Sequence, residues 1–177
     1  YKSAATVAKL LVDIVSKNGN MLLSVPLRAD GTPDEKEIAI MKEFGAWMKI
    51  NSESIVKTRP WKIFGEGPIA DADIQINAQG FNDGQYTKAG ANEIRFTQTE
   101  KNLYVSALEW PENKTINVKS LAEGSTLYPE KIKSVELLGY GKVKFTRTSD
   151  ALVVSLPEKL NNIMPVLEVK ARRIGGA

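Results

Sequence analysis

The chain has 177 residues, no cysteine, no histidine, and 24 basic against 21 acidic side chains. This composition excludes disulfides, thiolate or imidazole metal sites, cysteine nucleophiles and Ser-His-Asp triads, and leaves carboxylates, lysines and hydroxyls for any chemistry. Residues 1–60 carry 9 basic and 7 acidic groups and residues 61–177 carry 15 and 14, so no concentrated positive field points to nucleic acid. No stretch approaches the roughly 20 apolar residues of a membrane span.

The first sixty residues read as helix, strand, helix. Ser3 is placed to cap a helix in which Ala4, Val7, Ala8, Leu11, Ile14 and Val15 recur at three- and four-residue spacing. Lys17-Asn18-Gly19 then gives a basic end and residues tolerant of left-handed geometry. Met21-Leu22-Leu23, running to Ser24-Val25-Pro26, is apolar without alternation, the pattern of a short parallel strand covered on both faces. A second helix is predicted from a capping box, with Thr32 as cap, Pro33 in the first helical position and Glu35 reaching back. Its Ile38, Met41, Phe44, Trp47 and Met48 form a broad inward stripe. The parallel strand has no neighbour of its own kind nearby. With Tyr1-Lys2 standing where an initiator methionine would, this implies a processed product or a piece of a longer chain.

Ser52–Pro68, with Arg59-Pro60-Trp61 and Gly65-Glu66-Gly67-Pro68, reads as an interdomain crossing without periodicity. Beyond it the pattern changes to period two. Ile74 and Ile76, Ile94 and Phe96, Leu103–Leu108, Ile116 and Val118, Ile132–Leu138, Val143–Thr146, Ala151–Leu156 and Val166–Val169 give about eight strands. They are separated by turns such as Gly139-Tyr140-Gly141 and Ser149-Asp150. The fold class expected is α+β, an α-β-α segment followed by an antiparallel β-sandwich.

Candidate chemistry is sparse. Asp71 and Asp73 would share one face of a strand, closer than the ~5–9 Å that separates a glycosidase pair, and mark a strand entry instead. Asp30-Gly31 reads as a turn, Glu53 and Glu66 as solvating the crossing, and Lys17-Asn18-Gly19-Asn20 lacks the glycine spacing of a phosphate loop. Tyr104, Trp110, Tyr128 and Tyr140 belong to the β segment, where core packing is the more frequent role for Tyr104 and Trp110, and Trp47 and Trp61 suit anchors of the helix and the crossing. Trp110 and Tyr140 are the candidates for stacking on a sugar, if exposed.

Leu11-Val12-Asp13-Ile14-Val15-Ser16-Lys17-Asn18-Gly19-Asn20-Met21-Leu22-Leu23, Ala29-Asp30-Gly31-Thr32, Gly45-Ala46-Trp47, Asn51-Ser52-Glu53-Ser54-Ile55 and Thr58-Arg59-Pro60-Trp61 together resemble the end of the catalytic domain of α-L-fucosidases. Ile94-Arg95-Phe96-Thr97, Leu103-Tyr104-Val105 and Ile132–Gly139 resemble the C-terminal domain of the same family. The chain departs from the family pattern where Leu23 leads into Ser24-Val25-Pro26-Leu27 and the family commonly has Leu-Asn-Ile-Gly-Pro, and at Ser52 and Val56, where Gly and Tyr are usual.

The resemblance implies a remnant of the end of a (β/α) barrel in residues 1–64, with the lone strand as its last, and a C-terminal β-sandwich in residues 65–177. It implies a retaining hydrolysis of terminal α-L-fucosyl linkages by an aspartate nucleophile and a second carboxyl group. No residue here matches those carboxylates, so no catalytic residue is expected in the chain, and the chain alone is expected to be inactive. No metal or organic cofactor is expected. Barrel sites form at the C-terminal ends of strands, so Ser24, Pro26, Arg28 and Asp30 become the expected wall of the substrate pocket. The implied partners are a fucosylated glycan and the remainder of the barrel, with no nucleic acid and no membrane, and the implied location is periplasmic or secreted. The alternative is a carbohydrate-binding sandwich using Trp110 and Tyr140; a purely structural cap on the barrel is a third reading.

Overall fold

The computed structural model describes residues 1–72 and 89–171. Asp73, the expected alternation of Ile74 and Ile76, and Arg172-Arg173 lie outside the described residues. Two helices come first, α1 (Ala4–Ser16) and α2 (Glu35–Asn51). Nine strands follow among the described residues: β1 (Arg59–Glu66), β2 (Ile94–Gln98), β3 (Asn102–Ala107), β4 (Thr115–Val118), β5 (Ile132–Leu137), β6 (Gly141–Lys142), β7 (Phe145–Arg147), β8 (Leu152–Ser155) and β9 (Val166–Ala171). They make two antiparallel sheets, six strands in the order β1-β2-β3-β9-β5-β6 and three in the order β4-β8-β7. Among the described residues, no helix is long and apolar enough to cross a membrane.

The period-two pattern explains how the sheets stack. Alternate side chains of a strand point to opposite faces, so Ile94 and Phe96 of β2, Leu103 and Val105 of β3, and Leu167 and Val169 of β9 share one face. That face meets Ile116, Val118, Leu152 and Val154 of the smaller sheet in a closed apolar core. Tyr104 and Val166 point the other way, where Ala4, Ala8 and Val12 of α1 and Trp47 of α2 cover them. The large sheet is therefore buried on both faces, by a sheet on one side and by helices on the other. Trp61 sits in the sandwich core against Phe96 and Tyr128, with ring centroids 4.8 and 6.5 Å away.

Four expectations change. Residues 21–25 form no strand, and Leu22 is 96% exposed. A parallel strand needs partners for its amides and carbonyls, and none lies beside this run among the described residues. The second helix starts two residues later than its capping box suggests: Asp34, not Thr32, is the cap, and its carboxylate accepts from the Glu37 amide at 2.9 Å. The Thr32 amide is already taken by the Asp30 carboxylate at 2.9 Å, so Thr32 belongs to a turn. The stripe on α2 is only partly inward, because Trp47 is buried whereas Ile38 and Met41 are each 37% exposed.

The crossing, finally, contains a strand. Residues 59–66 pair with β2 across an irregularity between Pro60 and Gly65. The two glycines permit the close approach, since a Cβ on Gly65 would lie 2.4 Å from the Ile94 carbonyl oxygen and one on Gly67 2.3 Å from that of Asn92. Glu66 does not solvate this strand. It is buried and accepts hydrogen bonds from the amides of Lys119 and Ser120 at 2.7 and 2.8 Å and from the Ser120 hydroxyl, capping the 3₁₀ turn Lys119–Leu121. By pairing, β1 belongs to the sandwich.

Burial pushes the Tyr128 phenol up to about 12. In the unfolded chain the phenol ionises near pH ~10, so between those values the unfolded state binds fewer protons and stability falls as pH rises. Urea melts from pH 9 to 12 should show Tyr128→Phe losing less stability over this window than the parent chain. Equal losses would refute the assignment.

Candidate functional site

The segment joining α1 to α2 holds the residues expected at a pocket wall. The Ser3 hydroxyl accepts from the Thr6 amide at 3.1 Å to start α1, and the helix stops at Asn18, whose φ of 66° is left-handed. The Gly19 amide donates to the Ile14 carbonyl at 2.8 Å, satisfying one of the carbonyls that a helix end leaves open. Beyond the apolar run the chain turns at Arg28–Thr32. The Gly31 amide donates to the Arg28 carbonyl at 2.9 Å, the Arg28 amide donates to the Thr32 carbonyl at 2.8 Å, and Gly31 takes φ 82°.

Asp30 accepts at one oxygen from the Thr32 hydroxyl, 2.7 Å, and from the Thr32 amide, 2.9 Å. Those bonds hold its carboxyl below the usual range. The Asp-Gly pair is thus a turn whose carboxylate is occupied locally. Arg28 reaches Glu35 at 2.5 Å.

Between this segment and the two helices lies a concavity of about 560 Å³, whose lining includes Val7, Ser24, Pro26, Ile40 and Met41. Ser24 and Pro26 line it, while Arg28 and Asp30 stand in the turn beyond. Of its carboxylates, Asp34 is spent on both oxygens, one capping α2 and the other accepting from the Tyr1 hydroxyl. The Tyr1 bond is the main cause that holds the Asp34 carboxyl low, so it is a poor proton donor near neutrality. The concavity presents hydroxyl, proline and aliphatic surface to a ligand, with Lys2, Asp34 and Glu37 also in its lining.

The other sequence candidates are scattered. Trp110 is half-buried against the sandwich core and donates its indole N–H to Asn161 at 3.3 Å. Tyr140 is 57% exposed on the turn between β5 and β6. Asp71 is exposed and closes a turn, its amide donating to the Gly67 carbonyl at 2.8 Å. Glu53 is exposed at the end of α2. Among the described residues, no group of three or more metal-ligating side chains is gathered.

Sequence reasoning missed a buried ionic cluster where α1 meets the large sheet. Arg95 on β2 is 1% exposed and lies between Asp13 of α1 and Glu93, with N···O distances of 2.5 and 3.0 Å. Glu93 also accepts from the amides of Ile69 and Ala70, and Asp13 also pairs with Lys17 at 2.9 Å. The ring of Phe64 lies beneath both Arg95 and Lys17, at 5.4 and 4.7 Å. Lys9, one turn before Asp13, is buried and donates to the Ala89 carbonyl at 3.0 Å. The one hint in the sequence was a pair of charges, Lys9 and Asp13, four residues apart on the otherwise apolar α1; nothing in it tied them to Glu93 and Arg95.

Comparison with known proteins places this geometry in a family. The α-L-fucosidase family model matches residues 1–53, and the model of the α-L-fucosidase C-terminal domain matches residues 88–170. Tissue α-L-fucosidase of Mus musculus is 26% identical over 162 residues, covering 88% of this chain and 29% of the relative. An α-L-fucosidase of Dictyostelium discoideum is 38% identical over 63 residues, 36% of this chain and 14% of that protein. The Thermotoga maritima α-fucosidase solved with a mechanism-based inhibitor superposes with a TM-score of 0.67 at 24% identity, covering 96% of this chain and 34% of that one. Paenibacillus thiaminolyticus α-L-fucosidase isoenzyme 1 gives 0.66 at 25% identity, over 97% and 35%. The chain thus spans under a third of the length of the mouse relative and about a third of these solved structures. Two models of one family, matched in order along the chain and together covering about three quarters of the residues, settle the kinship: the chain belongs to the α-L-fucosidase family.

Proposed function

We propose that these residues serve a glycoside hydrolase that removes terminal α-L-fucosyl groups by a retaining double displacement, and that its catalytic carboxylates lie on segments outside the 177 residues. The observation that carries this is the succession of the family model at 1–53 and the C-terminal-domain model at 88–170 in a single chain. In this reading α1, the apolar run 21–25 and α2 are the end of a (β/α) barrel, and the sandwich is a structural cap upon it.

The uncovered apolar surface supports that arrangement. Leu11, Ile14 and Val15 of α1 are only half-buried, and Leu22, Leu27, Ile38 and Met41 are exposed. Apolar side chains in this number gain by burial at roughly 25 cal/mol per Å² of covered surface, and the remainder of a barrel would cover them. Its neighbouring strands would also supply the ladder hydrogen bonds that residues 21–25 do not find among the described residues. Ser24, Pro26, Arg28 and Asp30 then stand at the C-terminal end of the last strand, the side on which barrel enzymes build their sites, as a wall contacting a fucosylated glycan.

The test is fucose release from p-nitrophenyl α-L-fucoside. The pure 177-residue chain is expected to give none above the uncatalysed rate, and the protein carrying the preceding barrel segments is expected to turn over. Turnover by the chain alone near the rate of the longer protein would refute the reading.

A further inference from the structure

A cleft of about 630 Å³ opens at the end of the large sheet where β1 begins and β2 turns into β3, well away from the concavity between the helices. Among the described residues its lining is Lys57, Arg59, Gln98, Thr99, Glu100 and Lys101, all polar or charged. Its size falls in the range of about 300–1,000 Å³ usual for small-ligand sites, but its lining lacks the apolar walls that such sites normally carry.

The three cations keep donors for a ligand, Arg59 spending one guanidinium N–H on the Thr58 carbonyl at 2.9 Å. Among the described residues, Lys17, Arg28, Arg95, Lys114 and Lys170 are engaged in ion pairs, whereas no ion pair involves Lys57, Arg59 or Lys101. All three are exposed. Lys57 is held in the left-handed region at φ 62°, and the backbone there is fixed from both sides. The Val56 amide donates to the Ser52 carbonyl at 2.7 Å and the Thr58 hydroxyl donates to the Ile55 carbonyl at 2.9 Å. Arg59 is set by its pairing with Gln98, and Lys101 by the β2–β3 turn, in which the Thr99 hydroxyl oxygen accepts from the Lys101 and Asn102 amides at 3.4 and 3.2 Å. The cations thus stand on fixed backbone around one cleft.

The neutral groups beside them suit a hydroxylated ligand. Gln98 spends its amide N–H on the Pro60 carbonyl at 2.9 Å, which turns its own carbonyl oxygen toward other donors. Thr99 accepts with its oxygen and keeps its hydroxyl proton to donate. Glu100, the single carboxylate among the described lining residues, can accept from sugar hydroxyls. Among the described residues, three cations against one carboxylate give a net positive cleft with both donors and acceptors.

We propose that this cleft is an accessory site for an anionic saccharide, holding a sulfate ester or a carboxylate with Lys57, Arg59 and Lys101 and the adjoining hydroxyls with Thr99, Gln98 and Glu100. The saccharide class rests on the glycosidase reading above, while the preference for anions rests on the cleft alone. The site would hold a charged part of a long glycan on the sandwich, apart from the proposed pocket wall.

Calorimetric titration of the 177-residue chain with sized oligosaccharides of dextran sulfate, polygalacturonate and unsubstituted dextran tests this, with a short duplex DNA as a fourth probe. Sulfated or carboxylated saccharide should bind and neutral dextran should not, and the stronger of the two anionic arms identifies the group. The triple variant Lys57→Gln, Arg59→Gln, Lys101→Gln should weaken binding at least about tenfold at moderate salt, as expected for the loss of three exposed charge contacts. Lys142→Gln with Lys144→Gln, exposed and on or beside the edge strand β6 at the far side of the sheet, should change it less than about twofold on the same grounds. Circular dichroism and melting of both variants should match the parent. Equal weakening by the two variants, equal binding of neutral dextran, tighter binding of DNA than of either anionic saccharide, or no binding of any anionic probe would overturn the proposal. None of these outcomes depends on fucose release, so the two readings fail separately.

Discussion

Replacing Arg95 with methionine should destabilise the chain by about 3 kcal/mol, at the lower end of the cost of breaking a buried ion pair. The guanidinium is 1% exposed and joins two carboxylates, Asp13 and Glu93, that are 3% and 2% exposed. Methionine fills much of the volume but cannot donate, so both carboxylates stay buried with less compensation. Asp13 keeps Lys17, and Glu93 keeps the amides of Ile69 and Ala70, which is why the loss is set at the low end.

Adding Asp13→Asn to Arg95→Met should cost less than the sum of the single changes, with a coupling of roughly 0.5–3 kcal/mol. Urea unfolding of the four chains measures both quantities. A loss below about 1 kcal/mol for Arg95→Met would place the pair among surface ion pairs and contradict its role as the joint between α1 and the sandwich. Hydrogen exchange adds a local readout, since α1 amides should lose protection more than those of β3 and β9.

Trp47→Ala should cost about 3–5 kcal/mol, the usual penalty for emptying a buried tryptophan site. Trp47 is 1% exposed, stacks on Phe44 at 6.4 Å, and donates its indole N–H to the Met164 carbonyl at 3.1 Å. It is the chief anchor of α2, whose other apolar residues are half-buried or exposed. Trp47→Phe separates the contributions: it keeps most of the apolar contact and leaves the carbonyl unpaired, for a loss of about 1–3 kcal/mol. Thermal melts that show no difference between the two variants would mean that the hydrogen bond carries the anchoring. Near-wild-type stability in both would remove Trp47 from the joint.

Much of the sandwich was legible because its signal is local. Alternation in Ile94–Phe96, Leu103–Leu108 and Val166–Val169 needs only neighbouring residues to be read, and the strands form there. The Ser3 cap and the left-handed stop at Asn18 are local in the same way. The second helix start was misread because two caps competed within three residues, and the Asp30 carboxylate decided between them by claiming Thr32. The strand β1 was hidden by Gly65 within it and Gly67 just after it, which serve close approach to β2 and the residues leading into it and resemble loop punctuation when read alone.

The candidate site was legible only in outline. Ser24 and Pro26 were identified through family resemblance and do line a concavity, but nothing local marked Asp13, Glu93 and Arg95 as one cluster. Asp13 and Arg95 are 82 residues apart. Their charges individually resemble any solvated helix or strand position.

What the sequence determined by itself was the repertoire and the local elements. The absence of histidine and cysteine limited the chemistry before any fold was known, and apolar spacing gave two helices and an antiparallel sandwich. What only the tertiary structure decided was which face of each element is covered. Periodicity specifies that a helix or strand has two sides but not what stands against them. Burial on both sides of the large sheet, with α1 turned so that Asp13 meets Arg95 of β2 and Lys9 meets Ala89, is a property of packing between segments distant in the chain. Packing also leaves Leu22, Leu27 and Met41 exposed, because no described segment offers the apolar surface and hydrogen-bonding edge that would bury them.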